Sequence, residues 1–256
     1  MSVTSTTAAG VTSSTTALVT GSSSGMGLDI ARAFLAAGAN VVLNGRDPDR
    51  LAKAAAGLGH PERTACVAGS IAARETGEAL VRTALERFGR IDVLVNNAGT
   101  FAPKPFTDVT EDELDGYLTG NLKGTYLTTQ AFVRALRAQG EGGSIVNIGT
   151  VLVDHALAGF PASAPVVSKG GVHALTTSLA AELAADGISV NLVAAGIIRT
   201  PLHAGADVDS YGGLALQDRV GEVAEISDAV LYLAGAGFVT GHALRVDGGH
   251  VTGRRI

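Results

Sequence analysis

An α/β architecture, a parallel sheet covered by helices on both faces, is predicted by three observations. Short β-branched apolar runs alternate with longer stretches of helical spacing along the chain. The strand runs are continuously apolar rather than alternating, as strands buried on both faces require. Glycine stands at roughly double its usual share of about 7%, with 34 in 256 residues. That excess, without a collagen period, asks for many tight turns and close backbone approaches.

Each element follows in order. "TALVT" (16–20) reads as a buried strand and 25–38 as a helix. "NVVLNG" (40–45) is the second strand, and a short helix opens at Asp47-Pro48 and runs to 56. Asp47 suits the N-cap and Pro48 the first helical position. "TACVA" (64–68) is the third strand, and 72–88 carries Leu80, Ala84 and Phe88 at helical spacing. "IDVLVNN" (91–97) is the fourth strand, 114–139 is largely helical, and "GSIVNIG" (143–149) is the fifth strand. A helix over 166–185, a strand "ISVNLVA" (188–194) and a last strand and turn in "HALRVDGG" (242–249) complete the pattern. No Pro/Gly-rich linker and no internal repeat divides the chain, so 16–256 reads as a single domain.

Several function classes fall away. The net charge is −5, and a nucleic-acid footprint needs a clustered basic surface. No run of about 18 apolar residues exists, so no membrane span is expected. Residues 1–15 are rich in Ser, Thr and Ala, lack basic and apolar signal regions, and read as a disordered tail. Cys66 is the single cysteine. It reads as a small buried hydrophobe in a reducing, cytoplasmic setting. No metal site is expected.

"TGSSSGMG" (20–27) follows the first strand and opens the first helix. A tight turn needs one residue without a Cβ, and close approach to a pyrophosphate needs another. The helix N-terminus then faces the anion. Gly21, Gly25 and Gly27 occupy those places. Their Gly-x-x-x-Gly-x-Gly spacing is joined by "NNAG" (96–99), "GNLKG" (120–124), "GSIVNIG" (143–149), "SKGG" (168–171), "ISVNLVAAGIIRTP" (188–201) and "VDGG" (246–249). On these motifs, over 16–250, the chain resembles the short-chain dehydrogenase/reductase family.

The resemblance implies a Rossmann-like, doubly wound sheet of about seven parallel strands. It also implies hydride transfer between a nicotinamide dinucleotide and a carbonyl or alcohol. The cofactor would lie against Gly21, Ser23, Ser24, Gly25, Met26 and Gly27, and against Asn97, Ala98 and Gly99. Gly196, Ile198 and Thr200 match further cofactor positions, although Ala195 replaces the proline usual before Gly196. Ser70 stands where an adenine-side aspartate is usual. A segment over about 200–221, with His203 in it, would cover the substrate. Pairing into a homotetramer or homodimer would use the helices over 114–139 and 166–185.

The second strand ends "LNGRD". Relatives that use NAD usually carry an acidic residue at the Gly45 position. Gly45 offers no acceptor, while Arg46 can pair with a 2′-phosphate as a planar donor. NADP(H) is therefore expected over NAD(H), with Asp47 as an opposing charge or merely a helix cap.

Of the family's catalytic groups, Lys169 matches the lysine, Asn121 the asparagine and Thr150 the serine position. The tyrosine four residues before the lysine has no counterpart. Pro165 stands there, and Tyr117, Tyr126, Tyr211 and Tyr232 all lie in other elements. Pro165 suits the first turn of a helix. Asp154, or Ser163 and Ser168 flanking the gap, could substitute, and His155 is the expected acid because its ordinary pKa lies near neutrality. A small carbonyl, imine or enone would be the substrate. The alternative is a catalytically silent nucleotide-binding or scaffolding protein.

Overall fold

The structure is a computed structural model that describes residues 10–201, 205 and 207–253. Seven strands form one sheet: β1 (Thr16–Val19), β2 (Asn40–Gly45), β3 (Thr64–Ala68), β4 (Val93–Asn96), β5 (Gly143–Thr150), β6 (Ile188–Ala195) and β7 (Ala243–Val246). All pair in parallel, in the order β3-β2-β1-β4-β5-β6-β7. The order reverses between β1 and β4. A crevice opens at the carboxyl ends of strands at such a switch point.

The helices are α1 (Gly25–Ala36), α2 (Pro48–Leu58), α3 (Arg74–Phe88), α4 (Glu111–Tyr117), α5 (Gly124–Gln139), α6 (Ser163–Glu182) and α7 (Val223–Gly235). Successive strand residues point to opposite faces. Ala17 and Val19 pack with Phe34 of α1, Leu51 of α2 and Val230 of α7. Leu18 points the other way and packs with Leu80 of α3, Phe132 of α5 and Ala180 of α6. Each large apolar side chain fully buried in these layers contributes about 1.5–3 kcal/mol.

Three details depart from the expected pattern. The helical stretch through 114–139 contains a π-helical segment, Leu118–Lys123, between α4 and α5. Residues 10–15, expected in a disordered tail, form a turn: Thr15 N donates to Thr12 O, and Asn40 N donates to Thr15 O. Val11 packs on the α1/α7 core. Cys66 is exposed, not buried: β3 is the edge strand, so side chains of a neighbouring strand flank it on one side only. Partial desolvation against neighbouring atoms still pushes the Cys66 thiol above its ordinary pKa. No helix among the described residues is long and apolar enough to cross a membrane.

Candidate active site

The glycine turn leaves β1 at the switch point. Gly21 has φ +63° and Gly25 φ +56°, a backbone region that L side chains disfavour. A Cβ on Gly21 would lie 2.7 Å from the Ala98 Cα, and one on Gly27 would overlap the Asn97 amide and the Gly21 carbonyl. The turn is thus moulded against 97–98. Asn97 Nδ2 donates to Thr20 O and Gly21 O at 2.9 and 3.1 Å. Thr20 Oγ1 accepts from Asn97 N and Ala98 N, both at 3.0 Å.

Ser24 is the N-cap of α1, and its side chain makes no capping hydrogen bond. No acidic residue stands in the first turn. The leading N–H groups therefore face the crevice with the helix dipole behind them, as an anion site requires. Ser23 and Met26 flank the glycines on the same turn. Their backbone and the close-packed glycines fit a dinucleotide's phosphates.

Asn44, which the motif reading passed over, braces this turn. It is buried at the end of β2, and its Nδ2 donates to Val67 O and Gly69 O at 3.0 and 3.1 Å. Its Oδ1 accepts from Gly21 N at 3.4 Å. An asparagine in the middle of an apolar strand was the available signal, since a buried amide needs partners. Beyond it, Gly45 is buried, and a Cβ there would sit 3.1 Å from Ser23 Oγ. Arg46 is exposed and joins no ion pair among the described residues. Asp47 Oδ1 accepts from Asp49 N and Arg50 N, so its carboxylate caps α2. Ser70 is exposed, and its Oγ accepts from Ala72 N.

The second half of the site gathers around Lys169. Its Nζ donates to Ile148 O at 2.9 Å. Burial pushes its pKa down from 10.5 to about 8. A Cβ on Gly99 would meet Asn121 Oδ1 at 3.0 Å and Lys169 Nζ at 3.2 Å, so Gly99, Asn121 and Lys169 adjoin. The Asn121 amide is fully used: Oδ1 accepts from Thr100 N, and Nδ2 donates to Thr100 O and Ser168 Oγ. The π segment carries Asn121, a frequent location for functional side chains.

Thr150 ends β5, and its Oγ1 accepts from Leu152 N. His155 N donates to Val151 O, one turn beyond Thr150. The His155 ring meets the His250 ring edge-on, with centroids 5.5 Å apart. Asp154 pairs with Arg245 of β7. Pro165 is buried in the first turn of α6, and its carbonyl accepts from Ser168 Oγ at 2.8 Å. Tyr117 hydroxyl donates to Ala102 O, Tyr126 and Tyr232 are exposed on α5 and α7, and Tyr211 lies in the turns over Val208–Leu214.

After β6, Gly196 N donates to Val246 O, and a Cβ on Gly196 would strike Asp247. Ile198 is buried and bridges Gly221. A Cβ-bearing residue at 25 would approach Thr200 and Pro201, which places 200–201 over the glycine turn. Arg199 pairs with both Asp209 and Glu222. His203 lies outside the described residues. No group of three or more metal-ligating side chains occurs among the described residues.

A switch-point crevice, a glycine-moulded helix N-terminus and a desolvated lysine define a dinucleotide-binding α/β oxidoreductase fold. The chain belongs to the short-chain dehydrogenase/reductase family. The family model described as enoyl-(acyl carrier protein) reductase matches residues 21–251. The chain is 37% identical over 242 residues to the (2S)-[(R)-hydroxy(phenyl)methyl]succinyl-CoA dehydrogenase subunit BbsD of Thauera aromatica, covering 91% of this chain and 95% of that one. It is 36% identical over 246 residues to a galactitol 2-dehydrogenase (L-tagatose-forming) of Cereibacter sphaeroides, covering 91% and 94%. A short-chain type dehydrogenase/reductase from Mycobacterium marinum superposes with a TM-score of 0.89 at 30% identity, covering 93% and 96%. Relatives named as dehydrogenases support an oxidoreductase that uses a nicotinamide dinucleotide.

Proposed function

We propose that the protein is an NADP(H)-preferring oxidoreductase acting on a small organic carbonyl, imine or enone, with a proton donor other than tyrosine. The observation that carries this reading is the pairing of an uncapped α1 N-terminus with the desolvated Lys169 ammonium across one crevice. The residues fit the cofactor. The α1 N–H groups and glycine turn would hold its phosphates, 97–99 would border the adenine-side ribose, and Lys169 would donate to the nicotinamide ribose hydroxyls. When bound, the nicotinamide supplies or accepts the hydride.

Preference for the 2′-phosphate rests on Gly45 and Arg46. An acidic side chain at 45 would have to displace Ser23, while Arg46 stands exposed beside it and joins no ion pair among the described residues. Thr150 offers a hydroxyl to orient the substrate oxygen. His155, one turn further on, is the assigned acid. Self-association through α5 and α6, which leave Tyr126 and Val167 exposed, belongs to the same reading.

Calorimetric titration with NADPH and NADH tests the cofactor. Tight NADPH binding that Arg46→Ala weakens about tenfold or more, with NADH unaffected, is the expected result, since a charge-assisted pair contributes roughly 1.5–3 kcal/mol. Equal binding of both nucleotides would remove the preference. The acid is tested by steady-state reduction of a ketone: His155→Phe should lower kcat by about 10²-fold or more, and an unchanged kcat would reassign the donor. A second reading, a silent nucleotide-binding protein, is favoured by the buried, hydrogen-bonded Pro165. It predicts NADPH binding without turnover of any ketone, imine or enone.

A further inference from the structure

His250 carries a hydrogen-bonding atom that the fold leaves unmatched. The residue is 6% exposed, and its buried Nε2 has no partner among the described residues. It lines a small cavity of about 10 Å³ under the turns over Val208–Leu214, together with Ile197, Tyr211, Arg219 and Asp247. The position is the carboxyl end of the sheet. Thr150 of β5 pairs with Ala195 of β6, and Ala195 pairs with Val246 of β7. His250 follows four residues after Val246, and its ring meets His155, which lies five residues past Thr150.

The two charged groups of this cavity are committed. The Asp247 carboxylate accepts from Gly249 N and Val251 N. Arg219 donates to both oxygens of Glu225 and to Gln217 and Val220 O. Tyr211 is 42% exposed, which leaves the imidazole Nε2 as the buried atom to be satisfied, and buried polar atoms without partners are costly. The volume accepts one water-sized group. Burial first, then the His155 charge, pushes the His250 pKa down against the opposing pull of Asp247. A neutral ring beside a neutralised arginine favours an uncharged oxygen over a carboxylate, because an anion would be desolvated without a free countercharge.

We propose that His250 Nε2 is the anchor for a hydroxyl group next to the reacting carbonyl, so that the preferred substrates are hydroxyketones. This inference rests on the oxidoreductase reading above and names its substrate class. The His155 edge contact holds the His250 ring in place, and the substrate hydroxyl displaces the single water the cavity admits.

The test compares 2-hydroxycyclohexanone with cyclohexanone in NADPH-dependent reduction. The expected kcat/KM ratio is about 10–100 in favour of the hydroxyketone. His250→Phe, which keeps a flat ring without a polar atom, should bring the ratio near one, and His250→Gln should retain part of it. A ratio near one in the unaltered protein, or one that survives His250→Phe, overturns the proposal and leaves Nε2 to a structural water. If NADPH binds but neither ketone turns over, the same comparison is made by calorimetric titration of both ketones into the NADP⁺-bound protein; equal affinities overturn the proposal. Failure of NADPH to bind refutes the proposed function instead, and the two ketones titrated into the bare protein then decide the site.

Discussion

A Gly27→Val protein should lose NADPH binding and melt about 2–8 °C lower than the unaltered chain. Two effects oppose each other at this position. A side chain in a helix interior gains up to about 1 kcal/mol of propensity over glycine. Against that, the Cβ would overlap the Asn97 amide and the Gly21 carbonyl, and overpacking costs typically about 1–3 kcal/mol. Neither neighbour can step aside cheaply, because Asn97 Nδ2 is the clamp on Thr20 O and Gly21 O. Gly57 on α2 supplies the control, with open space around its absent Cβ. Gly57→Ala should raise the melting temperature slightly. An unchanged melting temperature and intact NADPH titration for Gly27→Val would refute the close-packing account.

Lys169→Met should lower kcat/KM by about 10²–10³-fold and alter the pH dependence of stability. The folded-state pKa of Lys169 is about 8, against 10.5 for the ordinary side chain. Below about 8 the group is charged in both folded and unfolded chains. Between about 8 and 10.5 the unfolded chain still holds a proton that the folded chain has lost. Stability therefore rises with pH across that window. In urea titrations of the cofactor-free protein from pH 7 to 10.5, the unaltered chain should gain on Lys169→Met as pH increases. A constant difference between the two would mean the ammonium is not desolvated. NADPH affinity should fall over the same range, because the neutral amine presents fewer donors to the ribose.

Sequence alone was sufficient where local pattern determines structure. β-branched runs such as "NVVLNG" mark strands buried on both faces, and β2 spans Asn40–Gly45. Asp47-Pro48 marks a capped helix start, and the Asp47 carboxylate does cap α2. The motifs at 20–27 and 96–99 meet at the switch point because each directly follows its strand. Harder to read were features set by strand order. Cys66 is exposed because β3 lies at the sheet edge, which nothing within "TACVA" records. The helix over 166–185 begins at Ser163 instead, since a proline at its third residue needs no N–H partner there. His250 carried no motif signal, and its burial arises from turns more than thirty residues earlier in the chain.

The π-helical segment has a consequence for how this chain tolerates insertions and deletions. A π turn is a helix with a residue to spare. Removing one residue from 118–123 would let the rod from Glu111 to Gln139 close as a regular α-helix, satisfying its backbone. Because the spare residue is absorbed within that one turn, the segments on either side would keep nearly their present relative rotation, and the Thr110 cap and Glu113 with its Lys104 partner would stay in place. The deletion would instead alter the bulged turn itself, which carries Asn121, so the loss would fall on the Asn121 contacts with Thr100 and Ser168. Residue count in this turn thus encodes the position of one amide rather than the path of the helix.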